Sequence, residues 1–172
     1  MKQQVKSVLV LVCICAVVAV ALALTNAITA PIIAENEVAK VRESLQEVYA
    51  DGGDFTKVDI KDKNLPATVK EVYAASNGGY VFKLVTKGYA AGMTIMCGID
   101  GNGVITGAKY LSGGETNGAE VTMSERVPGF TLDTIDGVDT TVAPTAPLTV
   151  GGYMGAIKDA LNAVKILEEV SQ

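Results

Sequence analysis

GMTIMCGIDGNGVITGAKYL, residues 92–111, holds two apolar runs separated by four turn-forming residues. Its first half, GMTIMCGID (92–100), is the most apolar segment after residue 35 and reads as a central strand. Its second half, GVITGAKYL (103–111), reads as the returning strand. Between them, Asp100-Gly101-Asn102-Gly103 contains both Asp-Gly and Asn-Gly, pairs that accept the positive φ of a tight hairpin. Gly-x-Gly at 101–103 is therefore a turn and not a phosphate loop, because no helix follows it.

The neighbours extend the sheet. TVKEVYAA (68–75) is rich in β-branched and aromatic residues, SNGG (76–79) is a turn, and YVFKLVTKG (80–88) alternates as a half-buried strand does. Upstream, ENEVAKVRESLQEVYA (35–50) places Val38, Val41, Leu45 and Val48 on one stripe, which predicts an amphipathic helix. DGGDF (51–55) reads as a turn and VDIKDKNLPA (58–67) as irregular chain. From Ser112 to about Thr149 the sequence is polar and Gly-rich without clear period, and reads as one long loop. GGYMGAIKDALNAVKILEEV (151–170) closes the chain as a helix with Tyr153, Ile157, Leu161, Val164 and Leu167 on its buried stripe. Helix, antiparallel strands, loop and helix make an α+β domain. The expected core sets Met93, Ile95, Ile99, Val104 and Ile105 against Ile157, Leu161 and Val164.

Composition narrows the chemistry. The chain has 172 residues and a net charge of −5, and its 14 basic residues form no cluster, so nucleic acid is not an expected partner. Histidine is absent, which removes His-based nucleophile activation, His acid–base catalysis and most zinc sites. The three cysteines, Cys13, Cys15 and Cys97, show no CxxC spacing and no disulfide framework. No catalytic carboxylate pair, triad or metal constellation stands out.

Between Lys6 and Glu35 no residue is charged, and VLVLVCICAVVAVALAL (8–24) is unbroken hydrocarbon. About 20 residues cross a bilayer as a helix, so this run is long enough for a transmembrane anchor. Lys2 and Lys6 precede it, which leaves the N-terminus in the cytoplasm and sends the rest across. The competing reading is a cleaved signal peptide, with small residues near Ala27 and Ala30 as the cut site, but a signal core runs only about 7–15 residues. The expected division is residues 1–34 as cytoplasmic N-terminus and anchor, and 35–172 as a single extracytoplasmic domain.

Chemistry, if present, belongs in GYAAGM (88–93), GGETNGAE (113–120) and VAPTAPLT (142–149). The bland reading of the second is an exposed turn. For Thr149 it is a helix N-cap, a common task for threonine.

TNAITAPIIAENE after the anchor, followed by GYVFKLVTKGYAAGMTIMCGIDGNGVITGAKYLSGGETNG (79–118), resembles the FMN-binding domain family. That family includes the G subunit of the Rnf ion-translocating oxidoreductase and the related C subunit of the sodium-pumping NADH:quinone reductase. Its pattern runs through Gly-Ile-Asp, a Gly-rich turn and an Ile-x-Gly strand to a Glu-Thr-Pro-Gly-Leu-Gly loop. A later Asp and a Ser-Gly-Ala-Thr-x-Thr motif then precede the final helix. By resemblance, a separate flavin transferase joins FMN through a phosphoester to the first threonine of that motif, and the domain carries electrons on the extracytoplasmic side. Glu115 and Thr116 match the family's Glu-Thr, while Asn117 replaces its proline. The flavin motif is degenerate. Read forward from Val138-Asp139, its threonine falls on Thr145; read backward from Gly152-Tyr153, it falls on Pro147, and Thr149 matches the second threonine.

The resemblance implies a single-pass subunit of an Rnf-like electron-transfer complex, with other membrane subunits as partners. Glu115, Thr116, Thr145 and Thr149 are its expected cofactor-binding residues, and FMN is the cofactor. A second reading keeps the fold as a flavin-free binding or assembly module outside the cytoplasm. A third is a secreted ligand-binding domain released by signal cleavage.

Overall fold

Alternation along four hairpin-linked segments leaves one sheet with two different faces. The computed structural model describes residues 11–12, 14–23, 25, 41–61, 63–115, 118–141 and 143–170. The chain divides into two compact units, Met1–Arg42 and Glu43–Gln172. In the second, strands β1 (Phe55–Val58), β2 (Val69–Ala75), β3 (Tyr80–Lys87), β4 (Ala91–Ile99) and β5 (Ile105–Ser112) pair antiparallel in sequence order. Residues 41–48 are helical and are called α1 here; α2 spans Ala119–Arg126 and α3 Pro147–Val170.

The β4–β5 hairpin forms where its turn chemistry predicts. The Asp100 carboxylate accepts from the N–H groups of Asn102 and Val104, both at 2.9 Å, and Gly103 takes a φ of 76°. Cross-strand register then sorts the side chains. Val72, Phe82 and Cys97 line up on one face, as do Val69, Leu84 and Ile95, and α3 covers them with Tyr153, Ile157, Leu161, Val164 and Leu167. The expected core pairing of Met93, Ile95, Ile99 and Ile105 with Ile157, Leu161 and Val164 is observed. Val104 is corrected: it ends the hairpin turn and is only half-buried. Cys97, wholly enclosed in this layer, has its thiol pushed up to about 12 by burial, so it is packing and not a nucleophile.

The opposite face receives α1. Gly98 and Gly107 are cross-strand partners, and a Cβ on either would stand 2.6 or 2.7 Å from the carbonyl oxygen of Val48. Thr106 donates its hydroxyl to that same oxygen at 2.7 Å. The glycines of the Gly-Ile-Asp and Ile-x-Gly patterns are thus the floor on which the end of α1 lies. Leu45, Val48, Val81 and Met96 are buried there, and Lys109 pairs with Glu47.

Three sequence expectations change. The stretch read as turn and irregular chain contains β1, which pairs Phe55 with Ala75 and Val58 with Val72; four residues are too few to show a period. The long loop contains α2, whose Ala119 and Met123 enter the core. Finally, the last helix starts at Pro147, earlier than expected, because proline at the first helical position loses no bond.

In the first unit, the described residues between 11 and 25 are helical, with Leu11, Ile14, Val17 and Leu22 exposed. No described helix is long and apolar enough to cross a membrane. The other residues read as anchor, and residues 35–40 of the expected amphipathic helix, lie outside the described ones.

Candidate functional site

Three segments meet at Glu115. The turn after β3 brings the backbone N–H groups of Tyr89 and Ala90, each donating to the Glu115 carboxylate at 3.2 Å. The first turn of α3 brings Thr149, whose hydroxyl donates to the same carboxylate. Gly88 makes this possible, since a Cβ there would stand 2.6 Å from a Glu115 oxygen. Gly152 has the matching task on the helix: its Cβ would lie 2.9 Å from the carbonyl carbon of Lys87 and closer still to its oxygen.

Thr149 is therefore not the cap of α3. The Val150 N–H donates to the carbonyl of Ala146 at 3.0 Å, which makes Ala146 the capping residue and Pro147 the first helical one. Thr149, at 4% exposure, is two residues further in and turned toward Glu115. Thr145 is exposed and makes no hydrogen bond among the described residues. Of the four expected cofactor-binding residues, the fold joins Glu115 and Thr149, leaves Thr145 on the surface four residues before Thr149, and Thr116 lies outside the described residues.

Burial raises the Glu115 carboxyl's affinity for a proton, but the Thr149 hydroxyl and the Ala90 and Tyr89 N–H groups outweigh it and hold it below its ordinary 4.5. A depressed folded value means the ionised form is favoured by folding. Its stabilising contribution is present above the ordinary glutamate value and is lost as pH falls through the depressed one. Glu115→Gln should lower the melting temperature at neutral pH, with the gap to the native chain closing as the pH drops below 4.5. A gap that is constant with pH would show that the charge of Glu115 has no part in the contact.

Several neighbours were not legible as site residues. Glu120, in the first turn of α2, is 6% exposed, and its Oε2 accepts no hydrogen bond among the described residues. Burial, then the Glu120 and Glu115 charges, raise the Tyr110 hydroxyl, which also accepts the Glu115 N–H. Ser124 on α2 and Tyr153 on α3 share a hydrogen bond of 2.8 Å, tying the two helices together. Tyr89, Val121 and Leu148, at 68%, 50% and 65%, are the exposed large hydrophobic side chains of the Glu43–Gln172 unit among the described residues. Tyr89 and Leu148 sit on the two segments that meet Glu115, and Val121 sits on α2. The signal for α2 was available: Gly118, then Ala119 and Met123 four apart, with Glu120 early and Arg126 late.

Comparison with known proteins gives two findings. A family model described as the RnfG N-terminal region matches residues 1–48. The G subunit of the Na(+)-translocating ferredoxin:NAD(+) oxidoreductase complex of Acetobacterium woodii is 40% identical over 109 residues, covering 55% of this chain and 53% of that protein. The chain thus spans about half the length of that curated relative. Both findings agree with the resemblance read in the sequence.

Proposed function

We propose that this RnfG-like chain is a membrane-held, electron-carrying subunit of an Rnf-type complex, with FMN joined to Thr145 and the domain on the extracytoplasmic side. The similarity to the G subunit of such a complex supports that assembly and its other membrane subunits as partners. The uncharged run from residue 7 to 34, preceded by Lys2 and Lys6, supports the anchor and its orientation.

The observation that carries the flavin reading is the pairing of an exposed hydroxyl with an anion cradle. Thr145 offers its hydroxyl between Pro144 and the Ala146-Pro147 start of α3. One helical turn on, Thr149 and the N–H groups of Tyr89 and Ala90 form a donor set occupied by a carboxylate, and Gly88 leaves the space for it. Donors of this kind fit a phosphate. Glu120 adds a buried acceptor with no partner among the described residues, and Tyr89 and Leu148, on the two segments that meet Glu115, add exposed apolar surface; these suit the polar edge and flat body of a flavin. When bound, the flavin supplies the redox chemistry, while the chain's own residues position it and exclude water. A flavin transferase is the partner required for attachment.

The test is intact mass after co-expression with a flavin transferase. An increment of one FMN should map to the peptide containing Ala143–Val150, and Thr145→Ala should abolish it. Thr149→Ala, which keeps the Thr145 acceptor but removes one donor of the cradle, should lower the modified fraction without moving the site of attachment.

A second reading, a flavin-free assembly module, has one observation in its favour. Pro147, where the backward register places the acceptor, has no hydroxyl and begins α3, and the nearby Thr149 hydroxyl is committed to Glu115. An unmodified mass under conditions that fully modify a Ser-Gly-Ala-Thr domain would select this reading.

A further inference from the structure

Three contacts give the direction in which α1 runs along the sheet. Lys109 pairs with Glu47, the Val48 carbonyl rests over Gly98 and Gly107, and Tyr49 donates its hydroxyl to the Gly78 carbonyl at 2.8 Å. Register sets Lys109 beside Met96, Gly107 beside Gly98 and Gly98 beside Val81, so the chain from Glu47 to Tyr49 advances toward the turn at 76–79. Read backward, α1 comes from the opposite end of the sheet, where β3 turns into β4 at 88–90. Upstream of Glu43, residues 35–42 are all that separates it from the uncharged run of 7–34.

The corner at which β3 turns is apolar. Residues 88–92, 113–115 and 143–149 meet there, and Glu115 is the only charged residue among them, its carboxylate held by the Tyr89 and Ala90 N–H groups and the Thr149 hydroxyl. The turn Gly-Tyr-Ala-Ala-Gly exposes Tyr89 at 68%, and the start of α3 exposes Pro147 and, at 65%, Leu148. Lys87, exposed at the end of β3, adds a cation beside the turn. The turns at the other end carry Ser76, Asn77, Asp100 and Asn102, and the connection with Asp59, Lys61 and Lys63 lies at the β1 edge, away from β4. An exposed tyrosine and leucine on an uncharged corner suit the interfacial layer of a bilayer, where the ring sits at headgroup level and its hydroxyl stays wet. A lysine beside them can reach the lipid phosphates.

We propose that this corner is a membrane-docking surface: the 88–92 turn and the first turn of α3 rest on the bilayer that holds the anchor, with Tyr89 and Leu148 entering the headgroup layer. The proposal rests on the membrane-held reading above and not on the flavin. Two side chains suffice because the domain is tethered, which makes the contact intramolecular. Docking gives the domain one orientation on that tether, with the start of α3 toward the lipid and the polar turns at 76–79 and 100–103 toward water.

The chain contains no tryptophan, so a single introduced indole is an unambiguous reporter. Full-length Tyr89→Trp, Leu148→Trp, Asn102→Trp and Ile14→Trp chains are placed in phosphatidylcholine nanodiscs with and without bromine on the acyl chains, and a cooperative melt confirms that each is folded. Bromine should quench the Ile14→Trp chain, quench Tyr89→Trp and Leu148→Trp by about twofold or more, and leave Asn102→Trp unchanged. Adding Leu148→Glu to the Tyr89→Trp chain should abolish its quenching. Quenching of Ile14→Trp alone overturns the docking surface while the anchor stands, whereas no quenching of Ile14→Trp overturns the membrane-held reading and the docking with it. Equal quenching at Asn102→Trp and Tyr89→Trp also overturns the surface. So does an emission shift at Tyr89→Trp and Leu148→Trp that appears only when the membrane subunits of the complex are added, which would make this corner a protein interface.

Discussion

Ile157→Asp should leave the Glu43–Gln172 unit without a cooperative melt near neutral pH. Ile157 is fully buried on the face of α3 that meets Leu84, Ile95 and Cys97. Losing the aliphatic side chain removes roughly 1.5–3 kcal/mol of burial, and a carboxylate there would enter a layer of apolar side chains. The sum exceeds about 4 kcal/mol, a large part of the roughly 5–15 kcal/mol that holds a domain folded. Asn162→Asp, on the exposed side of the same helix, should change stability by less than about 0.5 kcal/mol. Circular dichroism melts of the two variants decide the matter. A near-native melting temperature for Ile157→Asp would mean that α3 is not docked on the sheet.

Gly152→Ala should destabilise the chain although alanine is the better helix former. Its methyl group would fall against the backbone carbonyl of Lys87, which no side-chain rotation relieves. Forcing α3 away from the β3 turn costs about 1–3 kcal/mol, more than the roughly 1 kcal/mol gained in helix propensity. The shift also parts Thr149 from Glu115, so the pH-dependent share of stability should shrink with it. Gly155→Ala is the matched control. A Cβ there meets nothing within 4 Å, so this variant should gain up to about 1 kcal/mol. If the two alanines act alike, the close approach at Gly152 is not what sets the site.

The contrast between those glycines marks how far reading the chain can go. Along 151–155 the sequence shows three glycines in one helix, with nothing to separate Gly152 from Gly155. The distinction exists only once Lys87, 65 residues earlier, lies beside one of them. Gly98 and Gly107 are similar: they mark a family pattern in the sequence, and their reason is the Val48 carbonyl that rests on them.

Features that depend on near neighbours are legible along the chain. The β4–β5 hairpin follows from Asp100-Gly101-Asn102-Gly103, the break between β2 and β3 from the turn at 76–79, and the docked face of α3 from a repeat of three and four. The α+β class and the core of Met93, Ile95, Ile99 and Ile105 against Ile157, Leu161 and Val164 followed from these, and Glu115 and Thr149 were singled out as well. Tertiary structure decided what each does. It made Thr149 a donor to Glu115 instead of a cap, left Thr145 free on the surface, and buried Glu120 beside Tyr110. It also turned Phe55–Val58 into a strand and Ala119–Arg126 into a helix, both too short to declare themselves by period. The physical reason is common to all of these. A hydroxyl, a carboxylate or a four-residue segment takes its state from the partner that reaches it, and those partners are brought by the fold and not by the local pattern.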